Sequence, residues 1–287
     1  MVKLLAEHAF AKINLFLRVT GRREDGYHEL DSVFVPVSIG DRVALEMRTA
    51  TTSRVTLRCN IAALADAESN LATRAARDFM REFRISADVA IDLHKTIPAG
   101  AGLGGGSSDA GTVLRMLTTI THPDRIERLR KVAVALGADV PFFLAPRPAR
   151  VSGIGERIEV MEKFPKLHLV VAVPPIEVPT ASVFKTLKRE GWSGPASPAE
   201  IEEIIGGRIS ARHLVNDLEV PAMQLFPQIS HLKALLKECG ATAASMTGSG
   251  GAVFGLFPDA TASERAADEV GKKAPKARVF AAKSLQG

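Results

Sequence analysis

The sequence predicts an α+β protein of two lobes, because strand-like and helix-like segments follow one another irregularly rather than in strict βα alternation. A length of 287 residues suits one large domain or two ordinary ones. An apolar fraction of 46% with 24% charged residues supports a sizeable core and excludes wholesale disorder. Glycines and Pro165 interrupt the pattern near 150–165, so we place the lobes at 1–155 and 156–287.

Alternation of apolar and polar residues predicts the strands of the first lobe. Over residues 9–19 the apolar positions share one face, while Lys12, Asn14 and Arg18 share the other. The same period predicts further strands at 43–47, 55–59 and 87–95. Apolar residues at helical spacing predict a helix from about Ser69 to Phe83, with Ser69 or Asn70 as its N-cap.

A glycine-rich segment at 98–111 leads into a second helix, which runs through Ile120. After it the pattern predicts a helix at about 124–136 and a turn at 137–141. The second lobe is predicted to contain a buried strand at 167–173, helices near 180–189, 198–206 and 222–239, strands at about 241–247 and 252–257, a helix at about 260–273 and a strand at about 277–283.

Composition argues against several classes of function. A net charge of +5 is a mild bias, the cations are scattered among acids, and one Trp and one Tyr are too few for base stacking. We therefore expect no nucleic-acid partner. No apolar run approaches the ~20 residues of a membrane span, and the first residues do not resemble a secretory signal. Cys59 and Cys239 form no disulfide framework or metal motif, which favours a cytoplasmic location.

Five glycines in residues 100–106, followed by Ser107 and Ser108 at a helix start, predict a loop that binds a polyanion. Glycine permits positive φ, and the free N–H groups of a first helical turn attract phosphate. A P-loop is excluded because Gly106 stands where lysine is required. A Rossmann loop is disfavoured because a helix, not a second acid-ended strand, follows. The alternative is a flexible connection whose serines only cap the helix.

The pattern Pro-x-x-x-Gly-Leu-Gly-Gly-Gly-Ser-Ser-Asp resembles the central motif of the GHMP small-molecule kinases. The segments AKINLFLRVTGRREDGYHEL (11–30), LGADVPFFL (136–144) and MTGSGGAVFGLF (246–257) resemble other motifs of that family, in family order. The first of these points to members that act on a cytidine-diphosphate polyol. Gly111 stands where the family more often has alanine, and Gly251 adds a glycine. Both are interpreted as small-for-small changes.

The resemblance implies a two-lobed GHMP-kinase fold, with an N-terminal ATP-binding lobe of mixed sheet and helices and a C-terminal ferredoxin-like α/β lobe. It implies an ATP-dependent kinase that phosphorylates the 2-hydroxyl of a cytidine-diphosphate polyol in the non-mevalonate isoprenoid precursor pathway. The alternative is another GHMP kinase, acting on homoserine or mevalonate. An alternative of another class is a non-catalytic anion- or RNA-binding module. We expect a monomer or weak homodimer with no membrane partner.

Two residues are the candidates for catalysis. Asp139 lies in an apolar, proline-ended turn and is the candidate base, while Lys12 is its candidate electrostatic partner. The resemblance implies the same pairing, in which the aspartate accepts the substrate hydroxyl proton and the lysine polarises the oxygen. The alternatives are a solvated strand lysine and an aspartate that only forms a turn. Mg²⁺ should arrive with ATP, because no acidic or histidine cluster has metal-ligand spacing, and its protein ligands are unknown.

The resemblance also implies two sets of binding residues. For ATP they are Asn70, Lys95, Pro98, Gly100, Gly102, Leu103, Gly104, Gly105, Gly106, Ser107 and Ser108. For the substrate they are Asn14, Tyr27, His28, Asp139, Thr180, Phe184, Gly248, Ser249 and Gly250, with Tyr27, His28 and Phe184 around the cytosine. Several of them have a structural alternative: a cap for Asn70, a strand-end charge for Lys95, a turn for Tyr27 and His28, a core position for Phe184, and a hairpin turn for 248–250.

Overall fold

The computed structural model describes residues 2–66, 68–121 and 126–286, and the chain forms two compact units. Unit 1 comprises Met1–Ala11, Ile39–Ile97 and Gly104–Pro146. Unit 2 comprises Lys12–Ser38, Pro98–Leu103 and Arg147–Gly287. Neither unit is continuous in sequence, because segments of the two units alternate along the chain. The lobe boundaries at 1–155 and 156–287 stay a prediction.

Each of two long strands has one end in unit 1 and the other end in unit 2. β1 (Val2–Arg22) contains the predicted strand at 9–19, whose apolar positions are buried, and β2 (His28–Thr49) pairs with it. A tight turn joins them, in which Arg23 N–H donates to the Tyr27 carbonyl over 2.8 Å. Gly26 has a φ of +88° there, a conformation that favours glycine.

Among the described residues, the rest of unit 1 contains two strands, three helices and two 3-10 turns. They are β3 (Arg54–Cys59), the turn Ala62–Leu64, α1 (Leu71–Phe83), β4 (Ala87–His94), α2 (Gly105–Thr121), α3 (Ile126–Leu136) and the turn Val140–Leu144. β4 pairs antiparallel with β2 and parallel with β3. The apolar faces of β2, β4 and the three helices form one buried core. The predicted elements are confirmed here, although positions 124 and 125 of the predicted third helix lie outside the described residues.

Unit 2 contains a hairpin that the sequence did not predict. β5 (Ala149–Gly153) pairs with Leu30–Phe34 of β2 and with β6 (Arg157–Val160). The glycines that were interpreted as a break in the pattern form the turn of this hairpin. Gly153 and Gly155 have φ values of +71° and +126°, which few other residues adopt. The break therefore marks a turn rather than the loss of regular structure.

A second sheet in unit 2 has four antiparallel strands in the order β10-β7-β9-β8, which confirms the ferredoxin-like arrangement. The strands are β7 (His168–Val173), β8 (Ala243–Met246), β9 (Val253–Phe257) and β10 (Arg278–Lys283). The helices of this unit are α4 (Thr180–Thr186), α5 (Pro198–Ile205), α6 (Glu219–Leu225), α7 (Pro227–Glu238) and α8 (Ala260–Lys273).

One helix prediction in this unit is wrong. The segment predicted as a single helix near 222–239 forms α6 and α7, which meet at Phe226. Pro227 occupies the first turn of α7, where its missing N–H costs nothing, but it cannot continue a preceding helix. Within residues 2–66, 68–121 and 126–286, no helix combines the length and hydropathy of a membrane span.

Candidate active site

The glycine-rich segment ends in the N terminus of α2, within unit 1. Ser108 N–H donates to the Gly104 carbonyl over 2.8 Å, which is the first hydrogen bond of the helix. The N–H groups of Gly105, Gly106 and Ser107 therefore have no acceptor within the helix. These donors, at the positive end of the helix dipole, suit a phosphate.

Ser107 and Ser108 differ in what their hydroxyls can do. Ser108 Oγ is buried and donates to the Phe10 carbonyl over 2.7 Å, so it ties α2 to β1. Ser107 is half-buried and remains the serine of this turn that can face a ligand. Sequence reasoning treated the two hydroxyls as equivalent, because it could not show which one points into the core.

Lys95 lies in a buried cluster beneath this helix start. Its Nζ donates to Asp109 over 2.6 Å and also to Asp41, and a Cβ added to Gly105 would lie 3.4 Å from it. Burial alone would lower the pKa of Lys95, but Asp109 and Asp41 outweigh burial and raise it. Burial raises the pKa of Asp109 to about 8 against the effect of Lys95, and Asp41 adds to the rise.

This cluster gives Lys95 a structural role that sequence reasoning did not foresee. The ammonium group is committed to the side chains of Asp109 and Asp41, and Asp41 also accepts Ile97 N–H over 2.7 Å. Lys95 directly follows β4, as the alternative of a strand-end charge requires, but its charge is paired in the interior rather than exposed. No sequence signal pointed to Asp41, a single carboxylate within β2 that belongs to none of the motifs. ATP binding by Lys95 stays a prediction.

Asn70 is the N-cap of α1, as one of the two predicted caps. Its Oδ1 accepts Ala72 N–H over 2.9 Å and its Nδ2 donates to the Leu64 carbonyl over 2.9 Å. Both polar atoms of the side chain therefore hold the local backbone. The structural alternative for Asn70 is confirmed, and its contact with a nucleotide stays a prediction.

In unit 2 the first half of the glycine-rich segment packs against the turn at 247–252. Ala252 N–H donates to the Ala101 carbonyl over 3.0 Å. Gly102 has a φ of +77°, and a Cβ there would lie 2.4 Å from the Thr247 carbonyl oxygen. A Cβ on Gly248 would lie 3.0 Å from the Gly102 carbonyl oxygen. The turn is thus more than a plain hairpin, because its backbone and that of 101–102 approach too closely for side chains.

Lys12 and Asn14 form a buried polar pair on β1, in unit 2. Lys12 Nζ donates to Asn14 Oδ1 over 2.6 Å and lies 4.5 Å from the centre of the Phe34 ring. Asn14 Nδ2 donates to Ser32 Oγ over 2.9 Å, and Asn14 N–H donates to Thr247 Oγ1 over 2.8 Å. Lys12 is only 3% exposed, so the alternative of a solvated strand lysine is wrong. Burying an ammonium group costs folding free energy unless the group is paired. A buried lysine at this position is therefore more easily explained by a functional role than by stability.

Asp139 belongs to unit 1, where it directly precedes the 3-10 turn Val140–Leu144. Its side chain does not cap that turn and is partly exposed. Val140 and Phe143 are fully buried and hold the turn in the core. Asp139 therefore leads into a firmly anchored segment.

The interpretation of Gly111 as a small-for-small change is wrong. A Cβ on Gly111 would lie 2.5 Å from Phe143 Cβ and 2.9 Å from the Phe143 carbonyl carbon. Non-bonded carbon atoms do not approach this closely, so an alanine here would push the 140–144 turn away from α2. In this chain glycine is required for the close packing of helix and turn.

An aromatic cluster in unit 2 contains the residues predicted around the cytosine. The rings of His28 and Phe184 are stacked with centroids 5.0 Å apart and an angle of 25° between them. Tyr27 is 62% exposed. Burial, together with the nearby Arg22, lowers the pKa of His28 and favours the neutral imidazole. Thr180 lies one helical turn before Phe184 on α4, and its Oγ1 shares a hydrogen bond of 2.7 Å with Ser249 Oγ.

Trp192 completes this cluster, and sequence reasoning missed it. Its ring meets His28 edge-on, with centroids 5.8 Å apart. Its Nε1 is buried and, within the described residues, has no hydrogen-bond partner. The signal available from sequence was that Trp192 is the one tryptophan of the chain. A buried indole N–H beside a stacked pair is suited to an acceptor on a ligand.

The predicted residues are distributed between the two units. The catalytic pair is divided, with Lys12 in unit 2 and Asp139 in unit 1, and the other predicted substrate residues all belong to unit 2. The ATP set is also divided. Unit 1 holds Asn70, Lys95 and Gly104 to Ser108, and unit 2 holds Pro98, Gly100, Gly102 and Leu103. In the part of the chain that the structure describes, no group of three or more His, Cys, Asp or Glu residues could hold a metal ion.

Comparison with known proteins adds a second line of information. Residues 70–146 match the family description "GHMP kinases N terminal domain", and residues 201–276 match "GHMP kinases C terminal". A 4-diphosphocytidyl-2-C-methyl-D-erythritol kinase of Geobacter sp. (strain M21) is 38% identical over 276 residues, which cover 94% of this chain and 96% of that protein.

Solved structures give the same picture. A crystal structure of 4-(cytidine 5'-diphospho)-2C-methyl-D-erythritol kinase is 36% identical, with a TM-score of 0.83, and the match covers 99% of this chain and 100% of that one. A homoserine kinase from Cytophaga hutchinsonii has a TM-score of 0.74 over 99% of this chain and 95% of its own. It is only 17% identical, so that likeness concerns the fold alone.

Proposed function

This chain belongs to the 4-diphosphocytidyl-2-C-methyl-D-erythritol kinase family of GHMP kinases, and we propose that it transfers the γ-phosphoryl group of ATP to the 2-hydroxyl of that cytidine-diphosphate polyol. The observation that carries the proposal is an identity of 38% along 94% of the chain. The reaction belongs to the non-mevalonate route to isoprenoid precursors.

The N terminus of α2 is suited to the triphosphate of ATP. Its N–H groups at Gly105, Gly106 and Ser107 lack intrahelical acceptors, and glycine leaves them open to a ligand. We assign the remaining ATP contacts to Asn70, Lys95, Pro98, Gly100, Gly102, Leu103 and Gly104, while Ser108 contributes indirectly by tying the helix start to β1. Mg²⁺ enters as part of the substrate MgATP, because phosphate oxygens and water supply most of its ligands.

Asp139 and Lys12 divide the chemistry of the acceptor hydroxyl. Asp139 accepts the hydroxyl proton while the substrate oxygen forms a bond to the γ-phosphorus. The bond from that phosphorus to the oxygen bridging the β- and γ-phosphates breaks, and ADP leaves. Lys12 provides positive charge for the reacting oxygens, and Asn14 holds its ammonium group through the hydrogen bond of 2.6 Å.

The cluster of His28, Phe184 and Tyr27 is suited to the cytosine. Stacked rings match the flat faces of a nucleobase, and a neutral imidazole can donate or accept one hydrogen bond at the base edge. Asn14 and Thr180 orient the polyol or its diphosphate, with Gly248, Ser249 and Gly250 beside them. The hydrogen bond between Thr180 and Ser249 supports this grouping.

The other candidate functions have less support. The homoserine kinase structure shares the fold at 17% identity, which gives no reason to prefer homoserine as the acceptor. A non-catalytic RNA-binding module predicts affinity that falls steeply with salt and no ATP turnover. We place the protein in the cytoplasm, as a monomer or weak homodimer without nucleic-acid or membrane partners.

An assay with the purified chain, ATP, Mg²⁺ and 4-diphosphocytidyl-2-C-methyl-D-erythritol tests the proposal. ADP release should match the formation of a monophosphorylated product by mass spectrometry, with no turnover of homoserine or mevalonate. Asp139→Asn should lower kcat by about 10²–10⁴-fold, the usual contribution of a general base. Asp88→Asn is the control, because Asp88 is an exposed carboxylate on β4. Near-normal turnover by Asp139→Asn would reject its role as the base.

A further inference from the structure

We propose that Arg115 and Gly111 of α2 are positioning residues for Asp139, because together they fix the turn that follows it. The inference rests on the proposed function, in which Asp139 is the base. Nothing in the motifs singles out Arg115, and Gly111 departs from the alanine more usual in the family. Both residues, and the turn they contact, belong to unit 1.

Gly111 brings the turn onto the surface of the helix. A Cβ at this position would lie 2.5 Å from Phe143 Cβ, 2.9 Å from its carbonyl carbon and 3.0 Å from its carbonyl oxygen. The backbone of the 140–144 turn therefore rests directly on the backbone of α2. Glycine in a helix interior is otherwise unfavourable, so close packing is its physical reason here.

Arg115 lies one helical turn after Gly111 on the same face and holds the same residue by a hydrogen bond. Its Nη1 donates to the Phe143 carbonyl. Its Nη2 donates to Glu7 Oε2 over 2.8 Å and to Thr112 Oγ1 over 3.2 Å. Glu7 on β1 thus helps to orient the guanidinium group. A rigid, planar donor with three partners is suited to holding one carbonyl in place.

The position of Phe143 determines the position of Asp139. Only three residues of the 3-10 turn separate them, and Pro141 near its start restricts the backbone. Val140 and Phe143 are fully buried, so the turn has little freedom to absorb a shift within itself. A movement at Phe143 is therefore passed on to the carboxylate. Misplacement of a reacting group by about 1 Å can lower a rate by about 100-fold.

One helix thereby controls two parts of the proposed chemistry. The N terminus of α2 presents the N–H groups for the phosphates, and its middle fixes the turn of the base. Loosening the contact at Phe143 should disturb the base while the nucleotide cradle, two helical turns away, keeps its geometry. The expected signature is a lower kcat with an unchanged affinity for ATP.

Arg128→Met is a matched control for Arg115→Met. Arg128 on α3 also donates to a backbone carbonyl of another element, that of Glu82, and to Glu82 Oε1 over 2.8 Å. It is in unit 1 but holds α1 rather than the turn after Asp139. Removing either arginine deletes the same kind of contact, but only the Arg115 contact holds the turn that follows Asp139.

The experiment compares kcat, the KM of both substrates, the Kd of ATP and urea unfolding for Arg115→Met, Arg115→Lys and Arg128→Met. We expect Arg115→Met to lower kcat about 10-fold or more, with both KM values and the Kd of ATP within about 2-fold of wild type. Arg115→Lys keeps one donor and should recover part of the loss. Arg128→Met should lower the urea midpoint and leave kcat unchanged. Gly111→Ala, which displaces the turn by steric overlap, should show the same loss of kcat. It provides a second, independent test if Arg115→Met fails to fold.

Asp139→Asn measured in parallel separates the two ideas. If Asp139→Asn is inactive while Arg115→Met and Gly111→Ala keep a wild-type kcat, the positioning role is wrong and the proposed function stands. Equal kcat losses in Arg115→Met and Arg128→Met would also overturn it, because a general loss of stability would then explain both. If Asp139→Asn keeps near-normal turnover, the role of Asp139 as the base is wrong and the inference fails with it, while the kinase activity itself stands.

Discussion

The ammonium group of Lys12 donates a hydrogen bond of 2.6 Å to the side-chain oxygen of Asn14, two residues along the same strand. Both side chains are buried, with exposures of 3% and 2%. The pairing follows from the period of a β-strand, which turns residues i and i+2 to one face. Asn14 then links the lysine to β2 through Ser32 and to the 247–252 turn through Thr247. One amide therefore holds the proposed electrostatic catalyst in place.

Asn14→Ala should destabilise the protein and lower kcat, since it removes the buried acceptor of the Lys12 ammonium group and the buried donor to Ser32 Oγ. The cost of such unsatisfied groups is about 1–3 kcal/mol in the free energy of unfolding. Urea unfolding monitored by circular dichroism measures it. Asn14→Asp, which keeps an acceptor for Lys12, should lose less. An Ala variant as stable and as active as wild type would contradict this account of Asn14.

The alanine variants of Gly102 and Gly100 should differ in stability although both glycines have positive φ, +77° and +67°. Each variant incurs left-handed strain of about 1–2 kcal/mol. Only at Gly102 does the new methyl group also overlap the Thr247 carbonyl, whereas nothing lies within 4 Å at Gly100. Gly102→Ala should therefore lose a further 1–3 kcal/mol or so, as overpacked sites do. Equal midpoints in urea for the two variants would show that the turn yields without cost.

His28 should titrate below the ordinary histidine pKa of about 6.5. A histidine with a lowered native pKa contributes stability above pH 6.5 and loses that contribution as the pH falls through the native pKa. NMR titration of the imidazole measures the midpoint. Phe184→Ala should raise it more than Arg22→Gln, because burial is a larger cause of the lowered pKa than Arg22. The reverse order would mean that charge, not burial, sets the pKa.

Asp109→Asn should change how stability depends on pH. The native pKa of Asp109 is raised from 3.8 to about 8, so the native state binds the proton more tightly than the unfolded chain. Its contribution to stability is therefore greatest at acidic pH and declines as the pH rises from about 4 to 8. The asparagine variant lacks this decline, and its urea midpoint relative to wild type should improve between pH 5 and pH 9. A constant difference across that range would exclude the raised pKa.

The fluorescence of Trp192 should report on cytidine nucleotides. It is the one tryptophan of the chain and meets the ring of His28 at 5.8 Å. A titration with cytidine monophosphate should change its emission, with uridine monophosphate as the control ligand and His28→Ala as the control variant. Calorimetry of the same solutions shows whether the nucleotide binds at all. Binding without a change in emission would place the base away from this cluster.

Much of the fold could be predicted from local patterns. The strands and helices of unit 1 followed from period two and period 3.6, and Asn70 from the preference for asparagine as a cap. The β5–β6 hairpin was missed because its glycine turn resembled a break, and the α6–α7 junction because one proline was given too little weight. These errors concern a few residues whose effect depends on backbone geometry.

The site was harder to predict than the fold. Motifs located Lys12, Asp139 and the glycine loop, since those residues are close together in sequence or match a family pattern. Several of their contacts were not predictable, because Asp41 meets Lys95, Thr247 meets Asn14 and Trp192 meets His28 only through folding. The packing requirement at Gly111 was likewise hidden, since Phe143 is 32 positions away in the chain.

The interleaving of the two units has a consequence for any attempt to dissect this enzyme. The chain passes between them five times, so no single cut releases either as a continuous fragment. A truncation after residue 146 would retain Asp31 but delete Arg150 and Ala196, which bind its buried carboxylate at 2.8 Å. It would also remove β5 and leave the backbone groups of Leu30–Phe34 on β2 unpaired, and such an exposed strand edge promotes aggregation. Excised pieces should therefore aggregate, and split or domain-swapped versions need break points outside these shared strands.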